Sequence, residues 1–321
     1  MGNCILAIDQ GTTGSTCQII RFDDNGAPQV SGRGYSEFPQ HFPKPGWVEH
    51  DLDEIWSATR KAIADCIIAS NIRTTDIAAI GITNQRETIG AWDRHGVPCC
   101  RAIVWQDRRT SDTCEKLKRE GFEPYIQSRT GLLLDPYFSA TKIGWMLEHQ
   151  KDLRVRARSG DVRFGTIDTW LIDRLTSGEA FATEVTNASR TMLFDIHKQA
   201  WDHELCDRFG DIPENALPRV LSCDDVFGKT RGLAQLPDGI PICGVAGDQQ
   251  AALFGQACFS SGMAKCTYGT GAFALVNTGA KALESKHRLL TTIAWRLGDT
   301  TTYALEGSAF IAGAIVQWLR D

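Results

Sequence analysis

The sequence predicts an α/β fold, a sheet with helices on its faces, and three observations carry that reading. Short β-type runs end in turn residues or an acid, as at Cys4 to Asp9 and at Ile77 to Thr83. A helical period in the apolar residues runs from Leu52 to about Ser70. A strand, Gly/Thr tip, strand pattern near the start returns weakly about 250 residues later, which suggests two related domains. At 321 residues the chain also exceeds the roughly 250–300 at which one hydrophobic core stops growing.

The first hairpin consists of Cys4 to Asp9, a turn over Gln10-Gly11-Thr12-Thr13-Gly14-Ser15, and a return strand from Thr16 to Phe22. Asp23-Asp24-Asn25-Gly26 closes the next turn. The helix that follows places Ile55, Trp56, Thr59, Ile63, Cys66 and Ile67 on one face. The run from Ile77 to Thr83 leads into Asn84-Gln85-Arg86-Glu87-Thr88, and strands alternate with helices from there to about residue 250. The second hairpin spans Gly262 to Val276, with Gly269-Thr270-Gly271 at its tip. A strand pair from Leu289 to Trp295 and Thr301 to Leu305 comes next, and Glu306-Gly307-Ser308-Ala309 is expected to open a helix through Trp318. The boundaries this predicts are a first domain over residues 1–252 and the start of a second over 253–321, cut short at Asp321.

Composition excludes several classes. Hydrophobic residues at 42% against 23% charged describe a globular chain with a sizeable core, not a disordered one. The 34 basic and 39 acidic residues leave a net charge of −5, so no positive field exists to hold nucleic acid. Eleven cysteines occur in no C-x-x-C or Cys/His zinc spacing and read as reduced, mostly buried thiols. No apolar run of about 18 residues and no leader pattern is found, so the cytoplasm is the expected compartment and no membrane span is expected. The seven histidines form no metal-binding pair. Lys151, Arg154, Arg156, Arg158 and Arg163 read as one solvated helix face.

Candidate chemistry sits at the strand ends. A tip of Gly11, Thr12, Thr13, Gly14 and Ser15 offers backbone N–H groups and hydroxyls to a phosphate, although such a tip alone more often merely joins two strands. Asp9 beside it suits a Mg²⁺ held through water, or a turn cap. The run Pro241 to Gly247 delivers Asp248 to the first turn of an Ala-rich helix. There it is either an N-cap or a base that accepts the proton of an attacking hydroxyl. Arg86 and Glu87 are by default a surface ion pair; together they can also satisfy vicinal hydroxyls of a polyol. Trp105, Tyr137 and Phe273 are core residues by default and would wall off water beside such a ligand.

Taken together, these stretches resemble the carbohydrate kinases of the FGGY family. The resemblance rests on Ile8 to Thr13, Pro45-Gly46-Trp47-Val48-Glu49-His50-Asp51, Asn84 to Thr88, Val104 to Arg109, Tyr137 to His149, Gly247 to Ala252 and Thr267 to Gly271, and runs from Ile5 to Asp321. It implies an actin-like, ribonuclease-H-like fold, ATP and Mg²⁺ in a cleft between two domains, and glycerol deep within it, phosphorylated to sn-glycerol 3-phosphate. Phosphorylation of another small polyol or sugar, or an inert glycerol-binding fragment, are the competing readings. By position Asp248 resembles the general base. Arg86, Glu87, Tyr137, Asp248 and Gln249, with Trp105 and Phe273 as the apolar wall, resemble the glycerol site. Thr12, Thr13, Gly14, Thr270, Gly313 and Gln317 resemble nucleotide contacts, and Asp9 the metal position. Self-association is common in such kinases, and no segment here identifies an interface. Gly14-Ser15-Thr16 stands where the family often has two serines and an arginine, so one cationic phosphate contact is missing. Phe227-Gly228-Lys229-Thr230-Arg231 does not match the element through which some members bind fructose 1,6-bisphosphate.

Overall fold

The computed structural model describes residues 4–23, 25–269 and 271–320. Its central sheet has six strands in the order Val226–Lys229, Pro241–Gly247, Ile77–Asn84, Cys4–Gln10, Gly14–Phe22 and Pro28–Glu37. Cys4–Gln10, Ile77–Asn84 and Pro241–Gly247 run parallel, and the other pairings are antiparallel. Register places the site. Gln10 pairs with Asn84 and Asn84 with Gly247, so the three parallel strands end level with one another. Gly11, Gln85 and Asp248 therefore leave the sheet at one edge, where ligands bind in α/β sheets.

The helix Leu52–Ser70 forms as its period predicts. Asp51 caps it, accepting from the N–H groups of Asp53 and Glu54, and Asn71 ends it in the left-handed region. Leu52, Ile55, Trp56, Thr59, Ile63 and Cys66 are buried against the sheet, while Ile67 is half-buried. Its approach to Pro28–Glu37 is so close that a Cβ on Gly34 would stand 2.0 Å from the Ala62 carbonyl oxygen.

A second four-stranded sheet, ordered Ala264–Tyr268, Ala272–Gly279, Thr300–Ala309, Leu290–Leu297, is wholly antiparallel. Here the expectation for Glu306 to Ala309 fails. These residues continue the strand, pairing Glu306 with Leu275, Gly307 with Ala274 and Ser308 with Phe273, and the helix begins only at Gly313. Phe273, Leu275, Ile293 and Tyr303 of this sheet share one core with Phe138, Leu193 and Phe194. The second sheet is thus packed onto the first region.

The basic stretch is also not one face. Arg154, Arg156 and Arg158 lie on the helix Leu153–Arg158 and pair with Asp211 and Asp161, whereas Arg163 is on the strand Val162–Thr166 and binds Asp173. Among the described residues no cysteine is in a disulfide; Cys266 is exposed and the others are buried or half-buried. Among the described residues, no helix is long and apolar enough to cross a membrane.

Candidate active site

Beyond the level strand ends lies a cavity of about 150 Å³, walled by Thr12, Arg86, Glu87, Trp105, Tyr137, Asp248, Gln249 and Phe273 among others. It is smaller than the roughly 300–1,000 Å³ of drug-sized sites and suits a ligand of a few heavy atoms. Every residue the sequence suggested for a polyol lines it.

Arg86 and Glu87 are not a surface pair. Both are buried, and Glu87 adopts φ 62° just past the strand end. Arg86 extends past Gly247, where a Cβ would meet its Cγ and Cδ at 2.7 Å, so only glycine fits before Asp248. The guanidinium fork donates from Nη1 to Glu306 Oε2 (2.6 Å) and from Nη2 to Glu306 Oε1 (3.2 Å), with Nη1 also reaching Gln250 Oε1 (3.1 Å). Its Nε lies 3.3 Å from Asp248 Oδ1 and makes no hydrogen bond. Arg190 donates from Nε to Glu87 Oε1 (2.6 Å) and from Nη2 to Glu306 Oε1 (2.8 Å). Two arginines and two glutamates thus form a buried, charge-balanced quartet. Burial acts to raise the Glu306 carboxyl, but Arg190 and Arg86 outweigh it and hold it at about 2.

Asp248 is the first residue of the helix Asp248–Gly255, after Gly247 as cap, and its side chain is 37% exposed into the cavity. Oδ1 accepts from the Gln249 N–H at 2.7 Å. Burial pushes its carboxyl above the ordinary aspartate range, with Arg86 pulling the other way. Gln249 is committed: its Nε2 donates to Asp248 Oδ2 (3.3 Å) and its Oε1 accepts from the buried Lys265, which also donates to Thr267 Oγ1 (2.8 Å). The aromatic wall is edge-on, with Trp105 ring centroids 5.8 Å from Tyr137 and 6.2 Å from Phe273. Trp105 Nε1 donates to Thr12 Oγ1 (2.9 Å), tying the first tip to that wall.

Each tip carries one backbone hydrogen bond, of different span in the two. Gly11 N–H donates to Gly14 O, and Gly269 N–H to Gly271 O. Gly14 begins the return strand and leaves room for Tyr35, whose Cε2 a Cβ would meet at 2.8 Å. The Thr13 carbonyl accepts from the Phe38 N–H, and Gly313 N–H donates to Gly269 O, joining the last helix to the second tip. Thr270 and the Gln317 side chain lie outside the described residues. Asp9, at the cleft end of its strand, is exposed, yet burial of its surroundings and the nearby Asp248 charge raise its carboxyl to about 6.

Sequence reasoning missed Arg190, Glu306, Lys265 and Lys142. Lys142 is fully buried and donates to the carbonyls of Tyr137 (2.7 Å) and Glu87 (3.5 Å). Burial lowers its amine to about 7, against an ordinary 10.5. The unfolded chain therefore binds the extra proton between those values, so stability should rise with pH from about 7 towards 10.5. Denaturant midpoints against pH for the wild type and Lys142→Met should differ in that window, the variant showing the shallower rise.

A six-stranded mixed sheet, a second packed sheet and paired Gly/Thr tips facing one cleft define an actin-like α/β architecture. The pattern of the N-terminal domain of the FGGY family of carbohydrate kinases matches residues 4–255, and the chain belongs to that family. It is 57% identical over 320 residues to a glycerol kinase of Myxococcus xanthus and 58% identical over 322 residues to one of Rhizobium meliloti, covering 99% and 100% of this chain. The chain spans 64% of the length of each relative. A Plasmodium falciparum glycerol kinase structure with ADP superposes with TM-score 0.91 at 39% identity, covering 99% of this chain and 63% of that one. A xylulose kinase of Lactobacillus acidophilus, at 21% identity and TM-score 0.86, shares the fold.

Proposed function

We propose that the chain carries the polyol site of an enzyme that transfers the terminal phosphoryl group of ATP to glycerol, giving sn-glycerol 3-phosphate. The observation that carries this reading is the convergence of Arg86, Glu87 and Asp248 on one small cavity under Trp105, Tyr137 and Phe273, with Arg86 Nε 3.3 Å from Asp248 Oδ1. Its relatives named above are glycerol kinases, which supports the same choice.

In this reading Arg86 Nε donates to one hydroxyl and Glu87 accepts from another, while the aromatic edges exclude water from the carbon chain. Asp248 accepts the proton of the hydroxyl that attacks the phosphorus, and its raised pKa makes it a better base there. Phosphates approach from the side of the two tips, with Thr12, Thr13, Gly14 and Gly313 as their contacts from the described residues. Thr270 and Gln317 belong to the same proposed set.

Asp9 fits a Mg²⁺ site of the kind that keeps several waters and takes one or two carboxylates with nucleotide phosphates. Its carboxylate is reachable and stands near Asp248, a like-charge pair that a cation relieves; no cluster of three or more metal-ligating side chains occurs among the described residues. The ion, when bound, would neutralise charge on the phosphates. An intracellular place of action belongs to the same proposal, supported by eleven cysteines of which none among the described residues forms a disulfide.

The test is ATP-dependent phosphorylation by the purified chain, comparing kcat/KM for glycerol, dihydroxyacetone, erythritol and xylulose. Glycerol is expected to lead. A clear preference for xylulose would move the assignment to another polyol or sugar, and glycerol binding without turnover would leave a binding module.

A further inference from the structure

Arg86 has five N–H donors, and the structure shows where most of them go. The fork is spent on Glu306 and Gln250, which leaves Nε as the buried donor without a partner. On the neighbouring acid, Glu87 Oε1 is held by Arg190, and no described residue donates to Oε2. Each polyol-facing residue is thus gripped on one side and left open on the other. The gripping groups come from elsewhere in the chain. Arg190 follows the short helix Val185–Ala188, and Glu306 stands on the second sheet, paired in register with Leu275.

That short helix is itself fixed to the strand ends of the site. Asn187 and Asn84 exchange two side-chain hydrogen bonds at 2.9 and 3.0 Å, and Thr186 Oγ1 accepts from the Gly247 N–H at 2.9 Å. Arg190 is therefore seated on the same frame that delivers Arg86 and Asp248. Glu306 is the member that belongs to the other sheet, and it bonds both arginines at once.

We propose that Glu306, with Arg190, is a positioning residue for the polyol site: it turns the Arg86 fork away from the cavity, so that Nε alone is presented, and makes that presentation depend on the second sheet being docked. This rests on the polyol reading above. A residue that merely balanced buried charge would tolerate any carboxylate at position 306; a positioning residue would not, because aspartate withdraws the acceptor pair by one methylene from a fork with fixed geometry.

The experiment is calorimetric titration of glycerol into the full chain, the Glu306→Asp variant and the Glu306→Gln variant, with circular dichroism to establish that each is folded. Both variants are expected to bind glycerol about tenfold or more weakly, the scale of one displaced charge-assisted hydrogen bond. Wild-type affinity in folded Glu306→Asp would overturn the proposal, whatever Glu306→Gln does; if Glu306→Gln fails to fold, Glu306→Asp decides. Should the wild type bind no glycerol, the polyol reading fails separately. Positioning is then read from the Nε–Hε resonance of Arg86, identified by its loss in Arg86→Lys. A displaced position of that resonance in Glu306→Asp would support the role, and an unchanged position would overturn it.

Discussion

Asp248→Asn is expected to lower turnover on glycerol by about 10²–10⁴, the usual contribution of general-base catalysis, while leaving glycerol affinity within a few-fold of wild type. The geometry separates the two effects. Asparagine keeps an oxygen that can accept from the Gln249 N–H and stand near Arg86 Nε, so the cavity wall survives. What it loses is the site for a proton. Steady-state kinetics with ATP and glycerol, beside a calorimetric glycerol titration, check the split. Full turnover in the variant would remove Asp248 from the base role and leave it as a helix-start residue whose charge favours the dipole.

Arg190→Met is expected to cost stability more than any other single change at the site. It removes one partner from a buried quartet and leaves Glu87 and Glu306 with only Arg86 to share. Breaking buried ion pairs in this way costs about 3–5 kcal/mol, against a total of about 5–15 kcal/mol for a typical domain. The pH dependence gives a second readout. In the wild type Glu306 is held at about 2 against an ordinary 4.5, so its contribution is complete above 4.5 and lost as pH falls through about 2. Without Arg190 its folded pKa rises towards the unfolded value, so the variant should lose less stability than the wild type between pH 5 and pH 3. Urea midpoints at pH 3, 5 and 7 measure both effects. An unchanged midpoint at pH 7 would show that the quartet contributes no net stability.

Much of this was legible because the signals are local. The helix Leu52–Ser70 has a clear period and a capping Asp51, and its limits follow from them. Cys4–Gln10 reads as a strand since its apolar run is short and ends in polar turn residues. Arg86, Glu87 and Asp248 follow just after strand ends, a position that sequence patterns mark, whereas Tyr137 lies between two helices and Phe273 within a strand. The misread elements depend on distant partners. Glu306-Gly307-Ser308-Ala309 has the composition of a helix start, yet pairing with Phe273, Ala274 and Leu275 extends the strand through it. Arg190 stands alone in Asn187-Ala188-Ser189-Arg190-Thr191 with no periodic pattern, and its importance appears only when Glu87 and Glu306 arrive from positions 103 and 116 residues away. Burial of Arg86 and Glu87 was equally hidden, because adjacent opposite charges look like solvated ones until something closes over them.

The distribution of thiols has a practical outcome. Burial pushes Cys100, Cys114 and Cys206 up to about 12, which keeps them protonated and slow towards alkylating reagents, while Cys266 is exposed. Alternation along Ala264–Tyr268 sends Cys266 to the strand face opposite Lys265 and Thr267. A maleimide fluorophore should therefore attach fastest at Cys266, on the rear of a cleft-forming strand, without any engineered cysteine.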